Sequence, residues 1–125
     1  MTSPPRVLVV DDDPSILRLA QFNLEADGFE VEVASDGLAG LKAFQAGRFD
    51  CVVLDLMMPG LDGFELLEAV RGCERGESIP AYLLTARATA EDRDRAETLG
   101  VTDYLRKPFD PSDLSAVLLR GLGRD

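Results

Sequence analysis

The stretch Cys51-Val52-Val53-Leu54-Asp55-Leu56-Met57-Met58-Pro59-Gly60 decides how the rest of the 125-residue chain is read. Its first four residues are apolar, and an apolar run bounded by turn residues reads as a strand buried on both faces. The run ends on a carboxylate, Asp55, which is out of place in a core and well placed at a site. Met57-Met58-Pro59-Gly60 then turns the chain back towards a helix. Asp55 is the leading candidate for a functional residue.

Upstream, Val7-Leu8-Val9-Val10 forms another continuous apolar strand, ending at Asp11. Asp13-Pro14 supplies an N-cap and a proline at the first helical position. Ile16, Leu17, Ala20 and Leu24 line one face of that helix, and Gly28 stops it. Glu30-Val31-Glu32-Val33 alternates strictly, as an edge strand with one buried face does. Asp36 caps a second helix, with Leu38, Leu41 and Phe44 inward and Gly47 at its end. The central strand runs from Phe49 to Asp55.

Downstream, Asp62 caps a helix carrying Phe64, Leu67 and Val70. Pro80 begins a fourth apolar strand, Ala81-Tyr82-Leu83-Leu84, closed by Thr85. Thr89 with Asp92 resembles a capping box for a helix over 90–99. That helix has little apolar face beyond Ala96 and Leu99, and sparse anchoring is where mobility concentrates. A mixed fifth strand, Val101 to Arg106, leads into Lys107-Pro108-Phe109. Asp110-Pro111 starts a last helix with Leu114, Val117 and Leu118.

Strand–helix alternation at this spacing implies right-handed βαβ units and an open parallel sheet. Strands one, three and four are the central ones. The order is then 2-1-3-4-5, an α/β, flavodoxin-like, doubly wound (βα)5 fold whose ligands gather at the carboxyl ends of the strands. Residues 1–5 read as a short N-terminal tail, 6–122 as the domain and 123–125 as a C-terminal tail, with no effector domain in the chain.

Composition narrows the chemistry. A formal charge of −10 excludes a basic face that grips nucleic acid, and suits a cation or a basic partner. The absence of histidine removes the usual general base and the commonest transition-metal ligand, leaving carboxylates, hydroxyls and lysine. No apolar run is long enough to span a membrane, and Met1-Thr2-Ser3-Pro4-Pro5 is no signal sequence, so a cytoplasmic protein is expected. Cys51 and Cys73 make no metal or redox spacing and read as idle thiols in a reducing compartment.

Strand one ends in Asp11-Asp12-Asp13, strand three in Asp55, strand four in Thr85 and strand five in Lys107. Each has an ordinary explanation alone: a solvated turn, a loop acid, β-propensity, a surface lysine. Adjacent strands lie roughly 5 Å apart, so together these side chains converge on one pocket. Clustered carboxylates repel unless a cation neutralises them, and Mg²⁺, with Mn²⁺ as a substitute, is the oxygen-loving ion that fits. A carboxylate beside such an ion can act as nucleophile towards phosphorus and form an aspartyl phosphate. Lysine and threonine would then contact the transferred group.

The motifs Val-Val-Asp-Asp-Asp-Pro, Leu-Asp-Leu-Met-Met-Pro-Gly-Leu-Asp-Gly, Leu-Leu-Thr-Ala-Arg and Asp-Tyr-Leu-Arg-Lys-Pro-Phe, in this order, resemble the receiver domain of two-component response regulators. The resemblance implies a phosphorelay switch, not an enzyme. Asp55 would be the phosphoacceptor, charged by a sensor histidine kinase or a histidine phosphotransfer protein. Asp11, Asp12, Asp55 and the Met57 backbone carbonyl would hold Mg²⁺. Lys107, before a cis Pro108 bond, would contact the phosphoryl group. Thr85 and Tyr104 would form a switch pair that alters the surface of helix four, strand five and helix five for a downstream effector. Met57 and Arg87 stand where phosphoryl lifetime is tuned.

The charged run Glu91-Asp92-Arg93-Asp94-Arg95, with Asp103 and Asp113, resembles the dimer face of DNA-binding regulators and allows a phosphorylation-dependent homodimer; Val117 stands where that subgroup has arginine. The chain itself is expected to bind neither DNA nor membrane. Two other readings compete. A haloacid-dehalogenase-type phosphohydrolase would use Asp11 as nucleophile and Asp13 as acid/base, but leaves Asp55 unexplained. A degenerate receiver acting as a constitutive interaction module would not require the whole set Asp11, Asp12, Asp55, Thr85 and Lys107.

Overall fold

All five residues of the central strand β3 (Cys51–Asp55) are buried, as a strand covered on both faces requires. In the computed structural model, which describes residues 3–86 and 89–123, the remaining elements wind around it. They are β1 (Arg6–Val10), α1 (Pro14–Ala26), β2 (Glu30–Ala34), α2 (Gly37–Ala46), α3 (Gly63–Arg71), β4 (Ala81–Thr85), α4 (Ala90–Thr98), β5 (Asp103–Arg106) and α5 (Pro111–Gly121). A short 3₁₀ turn, Glu74–Gly76, lies between α3 and β4. Arg87 is outside the described residues.

The sheet is parallel with the order β2-β1-β3-β4-β5, as the strand patterns imply. Pairing aligns Val10 with Leu54, Asp55 with Leu84, and Thr85 with Arg106. The strands therefore finish close to one level, which brings their last residues together. Strand boundaries are tighter than the patterns suggest: Phe49, Asp50, Val101 and Thr102 lie before their strands.

Alternation of side chains splits the core in two. Val7, Val9, Cys51, Val53, Tyr82, Leu84 and Leu105 face α1 and α5, meeting Leu17, Ala20, Leu24, Leu114 and Leu118. Leu8, Val10, Val52, Leu54, Ala81 and Leu83 face the other way, against Phe44, Phe64, Leu66, Leu67, Val70 and Ala96. Helix α4 contributes only Ala96 to that core, as its sequence implies.

Every expected N-cap forms. Asp13 accepts from the Ser15 N–H, Asp36 from Ala39, Asp62 from Glu65, Thr89 from Asp92, and Asp110 from Ser112. The reciprocal half of a capping box occurs at Asp62, whose N–H donates to the Glu65 carboxylate at 3.1 Å. At α4 the cap is the Thr89 side chain alone.

One expectation is corrected. Leu38 does not face the core: it is 58% exposed, and the buried positions of α2 are Gly37, Gly40 and Phe44. A Cβ on Gly40 would lie 2.8 Å from a Val10 methyl, so the helix rests on its glycines close to the sheet. That rotation turns Leu38 to solvent and leaves Leu41 half-buried.

Candidate functional site

The site is made where β1, β3 and β5 finish. Asp11 follows β1, and its N–H still pairs with the Ala34 carbonyl, so its carboxylate is fixed and fully buried. Oδ1 accepts from the Asp13 N–H at 2.9 Å. Oδ2 is buried without a well-aligned hydrogen bond, although the Lys107 ammonium stands 2.9 Å away.

Asp55 closes β3 and is 2% exposed. Its Oδ1 takes the Met57 N–H at 3.3 Å and the Lys107 Nζ at 3.1 Å. The turn beyond it is closed by Gly60, whose φ of +76° suits a residue without a Cβ. Helix α3 then starts directly beneath the strand end: a Cβ on Gly63 would lie 2.5 Å from the Asp55 carbonyl oxygen. Glycine here lets the turn fold back tightly enough to hold the end of β3 in place.

Lys107 is held by its backbone. Its N–H donates to the Thr85 carbonyl at 2.8 Å, which extends the β4–β5 pairing, and the Lys107–Pro108 bond is cis. Thr85, fully buried, ends the strand next to β3. The strand ends therefore bring Asp11, Asp12, Asp55 and Lys107 into one place, with Thr85 on the adjoining strand.

Other residues singled out from the sequence lie elsewhere. Asp13 is the cap of α1 and is exposed. Met57 meets the site through its backbone N–H, with its side chain largely in solvent. Tyr104 lies half-buried against the α3-side core, and its hydroxyl donates to the Asp92 carbonyl of α4 at 2.6 Å. Arg71, at the end of α3, drew no attention in the sequence, yet its guanidinium makes four hydrogen bonds. The signal for it is slight: one cation closing an otherwise apolar helix face.

The electrostatics are those of a crowded acidic cluster. Burial, and then the Asp11 carboxylate, push Asp55 from its ordinary 3.8 up to about 7, against the pull of Lys107. Burial works against the Lys107 ammonium too, but Asp11 and Asp55 outweigh it and hold its proton above the usual lysine range. Oxygens of Asp11, Asp12 and Asp55 lie within 4.8 Å of one another, two of these carboxylates buried and one exposed. This donor set, three carboxylates with a cation already 2.9 Å from Asp11 Oδ2, fits a hard divalent cation that keeps part of its water.

The model of the response regulator receiver domain matches residues 7–119. The chain belongs to the response regulator receiver domain family. Among solved structures, this receiver domain is similar to the chemotaxis protein CheY4 of Vibrio cholerae, with a TM-score of 0.90 and 37% identity over 94% of this chain and 98% of that one. It is also similar to the receiver domain of the sensor histidine kinase PA1611 of Pseudomonas aeruginosa, solved with a magnesium ion in its active-site cleft (TM-score 0.86, 31% identity, 96% of this chain and 98% of that one). Among curated proteins, it is 40% identical over 90% of its length to the DNA-binding transcriptional regulator RpaA of Synechocystis. The chain spans 46% of that regulator's length. Among the described residues no helix is long and apolar enough to cross a membrane.

Proposed function

We propose that this receiver domain is a phosphorylation switch in which Asp55 accepts a phosphoryl group from a histidine kinase or a phosphotransfer protein. The observation that carries this is the buried Asp55 carboxylate, 3.1 Å from Lys107 and clustered with Asp11 and Asp12. An Asp55 oxygen attacks phosphorus, and the P–N bond of a phosphohistidine breaks. The leaving imidazole nitrogen keeps the electron pair and takes a proton from solvent. Lys107 orients Asp55 beforehand and then donates to a phosphoryl oxygen, while the Thr85 hydroxyl serves another.

Asp11, Asp12, Asp55 and the Met57 carbonyl would hold Mg²⁺. When bound, the ion neutralises charge on the phosphoryl oxygens. The unit acts once per transfer and is a signalling acceptor, not a turnover enzyme. Residues 6–122 form the switching unit. Its output is the surface of α4, β5 and α5, reached through Thr85 and Tyr104 and offered to an effector or to a second copy. A phosphohydrolase centred on Asp11 and Asp13 is disfavoured because Asp13 is engaged in capping α1.

The test is intact-protein mass after incubation with acetyl phosphate and Mg²⁺. One Mg²⁺-dependent phosphoryl adduct on the parent, missing in Asp55→Asn, is the expected result. An adduct that survives Asp55→Asn and disappears in Asp11→Asn would replace this reading with the phosphohydrolase one.

A further inference from the structure

The turn between β3 and α3 is pressed against the start of α2. A Cβ on Gly37 would lie 2.4 Å from the Leu61 carbonyl oxygen and 2.7 Å from the Leu61 Cβ. Gly37 is the first residue of α2, and its φ is not in the left-handed region. Backbone conformation therefore does not call for glycine there, and helix propensity would favour alanine. The close approach to Leu61 is what excludes a side chain.

The same connection meets the site a second time. The Asp11 N–H donates to the Ala34 carbonyl at 3.2 Å, where β2 ends. From Ala34 the chain passes through Ser35 to Asp36, whose carboxylate caps α2 on the Ala39 N–H at 2.7 Å. Gly37 follows. The short segment from Ala34 to Gly37 thus touches the Asp11 backbone at one end and the turn beyond Asp55 at the other.

A push at Leu61 has one direction in which to travel. Helix α2 rests on the sheet through Gly40 and the buried Phe44, so it is the better anchored partner. Downstream of Leu61, the Gly63 N–H donates to the Leu56 carbonyl at 3.1 Å and the Asp62 cap fixes the first turn of α3. The displacement is therefore taken up between Met57 and Gly60. A groove of about 450 Å³ bordered by Leu38, Pro59 and Leu61 gives this part of the turn room to move.

We propose that Ala34 to Gly37 form a brace that sets the spacing between Asp11 and the Met57 carbonyl, with Gly37 as a positioning residue. The inference rests on the cation site of the proposed function. Mg²⁺ demands near-ideal octahedral geometry at about 2.0–2.1 Å, whereas Ca²⁺ accepts irregular oxygen sets at about 2.3–2.6 Å. A brace that keeps the turn close to Asp11 therefore selects the smaller ion.

The test is calorimetric titration of the whole chain with Mg²⁺ and, separately, with Ca²⁺. In Gly37→Ala the affinity for Mg²⁺ is expected to fall roughly tenfold relative to that for Ca²⁺, the usual scale for losing an outer support of a metal site. Gly121→Ala supplies the control, because its overlap is with Tyr82, in the core on the other face of the sheet from Leu61. It should weaken the fold and keep the parent ratio. If Gly37→Ala does not fold, Asp36→Ala takes its place: it frees the first turn of α2, and its lost charge affects both divalent ions alike. An unchanged ratio in the variant that folds, or an equal fall in Gly121→Ala, would overturn the brace. No saturable Mg²⁺ binding by the parent would instead overturn the cation site. The brace is then decided by amide exchange at Met57 and Gly63, faster than in the parent if it holds and unchanged if it does not.

Discussion

The Lys107 ammonium lies 3.1 Å from Oδ1 of Asp55, close enough to orient the carboxylate and to hold part of its charge. The same ammonium is 2.9 Å from Asp11, so it occupies part of the space in which a divalent cation would be neutralised. On the proposed function, lysine and metal ion would compete for one set of carboxylates before phosphorylation, and both would face the phosphoryl group after it.

Replacing Lys107 by methionine should separate these roles. Mg²⁺ binding, followed by calorimetry, is expected to tighten because a competing cation is gone. Phosphorylation by acetyl phosphate, followed by intact mass, should slow by about two orders of magnitude, the usual loss for one charge-stabilising donor. An unchanged phosphorylation rate would remove Lys107 from the transfer step.

Stability should depend on pH through Asp55. Its folded-state pKa of about 7 lies above the ordinary 3.8, so the native protein holds a proton that the unfolded chain releases between these values. Without divalent ions, stability falls as pH rises from about 4 to about 7. Urea midpoints at pH 5 and pH 8 should show this in the parent and a weaker dependence in Asp55→Asn. Equal pH dependence in the two proteins would show that another group is responsible.

Gly121 is set by Tyr82, not by its own backbone. The tyrosine is fully buried, its hydroxyl 3.5 Å from the Val117 carbonyl, and a Cβ on Gly121 would overlap that oxygen. Gly121→Ala should destabilise by about 1–3 kcal/mol through overpacking. In the Tyr82→Phe background the penalty should shrink, because the ring carbon left behind is 3.1 Å from the new methyl. Additive effects in a double-mutant cycle would deny the contact.

Thiol labelling should single out one cysteine. Burial, then the nearby Asp50 carboxylate, push the Cys51 thiol up to about 12, and no part of it is exposed. Cys73 is half-buried and accessible from the surface. Iodoacetamide at pH 8 should add one carbamidomethyl group, on Cys73, with Cys51 reacting only after unfolding. Peptide mapping reads the result directly.

The sheet was legible because each strand carries its burial in its sequence: Val7–Val10 and Cys51–Leu54 have no polar residue, while Glu30–Val33 alternates. The caps were legible because an aspartate or threonine stands before each helix. The acidic cluster followed from topology, since residues that end neighbouring strands must meet. Leu38 escaped because a helix that packs through Gly37 and Gly40 shows no apolar stripe there, and leucine is the residue that catches the eye. Arg71 escaped because its partners are backbone carbonyls from three separate segments, and carbonyls carry no sequence signal.

In a parallel sheet with helical crossovers every helix begins at the edge where the strands finish. Asp13, Asp36, Asp62 and Asp110, the caps of α1, α2, α3 and α5, therefore stand on the same face as Asp11, Asp12 and Asp55. Architecture concentrates negative potential around Asp55, softened locally by the positive helix ends. If Asp55 accepts a phosphoryl group as proposed, a small anionic donor must climb that potential to reach it, whereas a donor protein with a basic surface would be drawn down it. On the proposed function the helix caps would act as a coarse filter on which donor can deliver the phosphoryl group, at distances where no residue of the partner has yet made contact.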